Sequence, residues 1–124
     1  MRYLCMIFAT EAQMGTIPPA EMAAFVNAHL DYDDRLRASG HLVESEGLQA
    51  ASTAAVVRVR DGRLSVTDGP FIETNEHLGG FYLVEAASGE EAVRLAAGIP
   101  SSRIGSIELR PVFELARPTE GAQP

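Results

Sequence analysis

The sequence contains one cysteine, Cys5, so no intrachain disulfide can form. That excludes the disulfide-scaffold class and suits a reducing compartment, so a cytoplasmic location is expected. No apolar run approaches the length of about 18 residues that marks a membrane-spanning helix, so no membrane association is expected. The start, Met1 to Ala9, is apolar but too short for a signal segment. Thr10-Glu11 closes it at once and no cleavage context follows, so it reads as a strand. Basic residues are few: ten stand against 17 acidic ones, for a net charge of −7. Such a surface repels phosphate backbones and anionic lipid, so no direct nucleic-acid partner is expected. Metal-ligand spacing is missing as well. The histidines at 29, 41 and 77 form no His-x-x-x-His pair, and a single cysteine forms no Cys-x-x-Cys. Phosphate loops, dinucleotide fingerprints and nucleophile elbows are absent, so neither a metal nor a cofactor is expected.

What is present fits one domain. The chain has 124 residues, of which 46% are hydrophobic and 22% charged, enough for a real core. Residues 2–9 are apolar throughout, as in a covered strand. Residues 10–18 read as a loop, and a helix is expected to open near Pro19 or Ala20. Met22, Phe25, Val26, His29, Asp33 and Leu36 then recur at helical spacing, and Gly40 marks the stop. Residues 41–49 and 53–60 alternate as strands do. Asp61-Gly62 is a two-residue hairpin signal, which pairs 53–60 with 63–67.

Thr67 to Phe71 breaks regular structure, and 72–78 is polar and irregular. Gly79-Gly80 leads into a strand through Ala86. Ser88 and Glu91 make a capping box for a helix over 89–98. A last strand covers 106–114. Residues 1–115 form the domain, and 116–124, rich in Pro, Gly and polar residues, form a loose tail. The element order is β-α-β-β-β-β-α-β. Without the middle hairpin it is β-α-β-β-α-β, the ferredoxin-like arrangement of an α+β domain.

The stretch from Val66 to Leu83 carries Thr67-Asp68-Gly69-Pro70-Phe71, then Glu73, then Glu76-His77-Leu78-Gly79-Gly80. It resembles the signature of DGPF-domain proteins, a branch of the YciI-like family. Arg2-Tyr3 to Phe8, Gly47-Leu48-Gln49 and Arg110-Pro111-Val112 add to the likeness, which covers about residues 1–115. The resemblance implies a ferredoxin-like fold and a homodimer, a dimeric α/β barrel in which two sheets face each other. It also implies a catalytic His-Asp pair, and one similar relative is a dehydrochlorinase acting on a muconate. His29 stands eleven residues before Gly40, at the place of the family histidine. The family aspartate precedes a proline after the second helix; here Ile99 precedes Pro100.

Two functions from different classes are then in view. One is a cofactor-independent lyase or dehydrohalogenase-like enzyme acting on a small organic acid. His29 would move the proton, since histidine titrates near pH 6.5. Asp68 and Glu73 would serve as the paired carboxylates, or Asp33 would orient His29 from one turn away. Phe71 would wall the cleft, Tyr32 would contact the substrate from three residues past His29, and Arg110 would clamp the anion. The plain readings are an interior histidine and a structural turn at Asp68-Gly69-Pro70. The other function, implied by the resemblance, is a dimeric regulatory or ligand-binding module associated with extracytoplasmic-function sigma factors.

Overall fold

A computed structural model of the chain describes residues 1–72 and 75–117. Four strands form the main sheet: β1 (Arg2–Ala9), β2 (Leu42–Gly47), β5 (His77–Glu85) and β6 (Ser106–Pro111). Their order is β2-β5-β1-β6, and every neighbouring pair is antiparallel. The long helix α2 (Met22–Ala38) links β1 to β2, and α3 (Gly89–Ala97) links β5 to β6. This is the ferredoxin-like α+β arrangement expected from the element order. The remaining strands, β3 (Ala55–Arg60) and β4 (Arg63–Asp68), pair only with each other. Among the described residues no helix is long and apolar enough to cross a membrane.

Register assigns each sheet residue to a face. Tyr3, Cys5, Tyr82 and Val84 lie on the helix side and are buried, joined there by Tyr32, Leu36, Ala92, Ala96 and Ile99. The alternate set, Leu4, Met6, Phe8, Phe81 and Leu83, lies on the opposite face and is only partly buried. A strand shows a period of two, so one residue of slip would exchange these sets. Cys5 is fully buried, and burial pushes its thiol up to about 11. It is an inert core residue.

Helix ends follow local chemistry. Pro19 opens a 3-10 turn, Pro19–Glu21, that runs directly into α2. The Ser88 hydroxyl accepts the Glu91 N–H at 3.1 Å, capping α3. The reciprocal half of the expected capping box differs. The Glu91 carboxylate reaches the Ala87 N–H at 3.0 Å instead, and that bond is the main reason its pKa is lowered. Asp61 and Gly62 both have positive φ, 51° and 73°, which is the two-residue turn their sequence predicts.

Two segments depart from the sequence reading. The loop over 10–18 holds a short helix, α1 (Glu11–Met14), closed by a full capping box between Thr10 and Gln13. Strand β5 begins at His77, before Gly79-Gly80, because Ala9 and Phe8 pair with His77 and Leu78. His77 and Leu78, expected in an irregular stretch, thus lie in the ladder together with Gly79-Gly80.

Candidate functional site

A cleft of about 880 Å³ lies between α2, the sheet and the segment after α3. Helical spacing brings Phe25, Val26, His29 and Asp33 to it, since positions three and four apart share a face. Strands β2 and β5 add Ser45 and Tyr82, which are register partners. The turn after Pro100 adds Ser101.

His29 is fixed at both ring nitrogens. Nδ1 lies 2.9 Å from the Phe25 carbonyl, and a carbonyl only accepts, so Nδ1 carries the proton. In the neutral ring, Nε2 is then the bare nitrogen. It accepts from the Ser101 hydroxyl at 2.6 Å. The Phe25 ring meets the imidazole edge-on, with centroids 4.7 Å apart. Ser101 is a buried polar residue, 9% exposed, and it lines the cleft. The arrangement is a proton acceptor of fixed tautomer coupled to a hydroxyl.

Asp33 lines the same cleft without touching His29 through a hydrogen bond. Its Oδ2 accepts from the Ser45 hydroxyl at 2.8 Å. Its Oδ1 is shielded from solvent and has no hydrogen-bond partner among the described residues. Tyr82 donates to the His29 carbonyl at 3.3 Å. Burial, with the Asp33 carboxylate beside it, holds the Tyr82 phenol far above the usual tyrosine range. Tyr82 is therefore a neutral donor at any ordinary pH.

The other residues singled out by sequence do not converge on His29. Asp33 does not orient the imidazole; the backbone of Phe25 does, because the Nδ1–H points back along its own helix. Tyr32 is a core residue. Its hydroxyl donates to the Leu95 carbonyl at 2.5 Å, tying α2 to α3, and a Cβ at Gly98 would sit 2.3 Å from that oxygen. Arg110 lies on the opposite sheet face, level with Leu4, and pairs with Glu108 at 2.5 Å. Asp68 is exposed at the end of β4, and the next N–H, of Gly69, bonds to the Ala54 carbonyl at 2.7 Å. Phe71 is 70% exposed, with the Arg58 guanidinium 5.3 Å from its ring centre, and it lines a second cavity of about 860 Å³. Glu73 lies outside the described residues, as does the tail beyond residue 117.

Sequence reading missed Ser101. The signal was faint: Pro100 opens a 3-10 turn, Pro100–Arg103, and that turn carries a hydroxyl two residues past the place of the family acid. Ile99 itself is 1% exposed and packs in the core.

Comparison with known proteins places the chain. Residues 1–116 match the YCII-related domain. The chain belongs to the YCII-related domain family. An uncharacterized protein of Rhizobium meliloti (strain 1021) is 40% identical over 76 residues, which are 60% of this chain and 61% of that protein. The aligned stretch thus spans under two thirds of the relative's length. Among solved structures, the chain is similar to 5-chloro-2-hydroxyhydroquinone dehydrochlorinase of Burkholderia phenoliruptrix AC1100, in complex with 2,5-dihydroxybenzoquinone. The match has a TM-score of 0.55 and 16% identity, and covers 91% of this chain and 94% of that one. At that identity the likeness establishes the fold.

Proposed function

We propose that the protein is a lyase of the dehydrohalogenase type, working by proton transfer on a small organic molecule held in the His29 cleft. The observation that carries this reading is the bond from Ser101 Oγ to His29 Nε2, with Nδ1 held by Phe25. Elimination of HX breaks a C–H and a C–X bond: the proton goes to a base, the C–H pair becomes the new C=C bond, and the halide leaves with the C–X pair. It moves no electrons to an outside acceptor. His29 supplies the base, and Ser101 passes the proton from the ligand to Nε2. Tyr82, kept protonated, donates within the same cleft. Family membership and the shared fold with a dehydrochlorinase support the class of reaction.

The test is chloride release from a panel of chlorinated hydroxyhydroquinones and chlorinated lactones. His29→Gln is expected to lower the rate by about a hundredfold or more, the usual worth of a positioned base. Chloride release that is absent from every compound, or unchanged in His29→Gln, would defeat the reading.

The same reading has the protein acting as a homodimer through its open sheet face. Leu4, Met6, Phe8, Phe81 and Leu83 lie on the two central strands of that face and are only partly buried, with Glu46, Glu108 and Arg110 beside them on the edge strands. Light scattering at micromolar concentration is expected to give twice the chain mass of 13.3 kDa. A monomer would count against it.

A further inference from the structure

We infer that the His29 cleft selects ligands by charge: it takes an uncharged or cationic organic molecule bearing hydroxyl or amino hydrogens, and rejects carboxylates. This deepens the proposed function and rests on the cleft being its binding site.

The walls supply most of the contact and set the kind of molecule. Ile7, Met22, Phe25, Val26, Leu48 and Ile104 line the cleft, so the body of the ligand is largely apolar. The charges set its sign. The sequence has no lysine, and none of its ten arginines lines the cleft. Arg110, the sheet arginine best suited by sequence to clamp an anion, is on the other face and already paired with Glu108. Arg58 stacks on Phe71 in the hairpin region. An incoming carboxylate would therefore leave water without gaining a guanidinium or ammonium partner.

It would also meet negative charge. Asp33, Glu11 and Glu46 are the acidic residues lining the cleft, and His29 and His77 are its imidazoles. Asp33 is the stronger influence, because one of its oxygens is shielded from solvent, where little water screens its charge. Like charges repel most where little water separates them. Glu11 is exposed, so its share is weakened by salt. A ligand O–H or N–H meets the opposite situation, since its positive hydrogen is attracted by the same carboxylates that repel an anion. Charge-assisted hydrogen bonds to a carboxylate are the stronger kind.

Three rings of matched shape test this by NMR titration of the labelled protein at pH 8 and low salt. They are hydroquinone, 2,5-dihydroxybenzoate and 2-(aminomethyl)hydroquinone. Hydroquinone is expected to shift the signals of Phe25, His29, Ser45 and Ser101. The benzoate is expected to bind at least about tenfold more weakly, and the amine as well as hydroquinone or better. Asp33→Asn should narrow the gap between hydroquinone and benzoate severalfold. Because that change also touches Ser45, Glu11→Gln is the second variant, with a smaller narrowing that disappears in high salt.

Benzoate binding equal to or tighter than hydroquinone would overturn the inference. So would failure of all three rings to bind in the cleft. The two readings separate cleanly. Charge selection without any chloride release leaves the ligand class standing and removes the reaction. Chloride release from carboxylated rings as fast as from neutral ones does the reverse.

Discussion

Two regions drew the eye in the sequence, the helix stripe at His29 and the turn Asp68-Gly69-Pro70-Phe71, and the fold treats them differently. The stripe faces a cleft and gathers polar groups from three other segments: Ser45, Tyr82 and Ser101. The turn sits at the end of a hairpin that pairs only with itself, and its Asp68 is exposed. The motif reaches the cleft only with Pro70, which lines its edge, while the side chain of Asp68, its titratable group, does not line it. The motif is rich in turn residues because the chain must leave β4 with Gly69 at φ 99°. The histidine carries no local signature, yet tertiary packing gives it two fixed partners.

The contrast extends to stability, and the largest effects should fall on the cleft side. Leu36 is 4% exposed in the core beneath α2, so Leu36→Ala should lower stability by about 2–5 kcal/mol in denaturant unfolding. In the hairpin, Val59 and Leu64 are paired yet 59% and 69% exposed. Val59→Ala should stay within about 0.5 kcal/mol of the parent protein. A comparable loss at both sites would mean that the hairpin's outer face is covered in solution.

Gly98→Ala is next in size. The added methyl meets the rigid tip of the Tyr32 ring, which cannot swing away without losing the bond to Leu95. A loss of about 1–3 kcal/mol is expected from thermal unfolding. A neutral result would show that α2 and α3 separate more easily than their packing suggests.

The strands, both long helices and the hairpin follow from period, caps and Asp61-Gly62, all of which act within a few residues. The convergence of side chains did not follow, because it depends on contacts between segments far apart. Ser101 and His29 are 72 residues apart in sequence, and no periodicity links them. Arg110 looked available as an anion clamp, but alternation along β6 sends it to the face away from the cleft. Tyr32 stands one turn from His29, but its hydroxyl is drawn to the Leu95 carbonyl of α3, a contact no local pattern reveals.

Smaller effects sharpen the picture at α3. Ser88→Ala removes the N-cap acceptor and should cost about 1 kcal/mol. Glu91 accepts the Ala87 N–H and lies 3.3 Å from His41 Nε2. Its pKa is lowered in the folded chain, first by the Ala87 bond. A lowered carboxyl pKa adds stability that is fully present above the unfolded value of about 4.3 and fades as pH falls through the folded one. Glu91→Gln should therefore be less stable than the parent at pH 7, and the two should converge in acid. Asp68→Asn should change neither stability nor ligand binding in the cleft, as befits an exposed turn residue. A clear loss of binding would tie the two regions together after all.

The central claim is that His29 presents Nε2 as a bare, hydroxyl-coupled base. Nitrogen NMR of the imidazole tests it without any substrate. At a pH where the ring is neutral, the account predicts the proton on Nδ1, with the Nε2 signal moving in Ser101→Ala and Nδ1 unaffected. A proton on Nε2, or an Nε2 signal indifferent to Ser101, would contradict it.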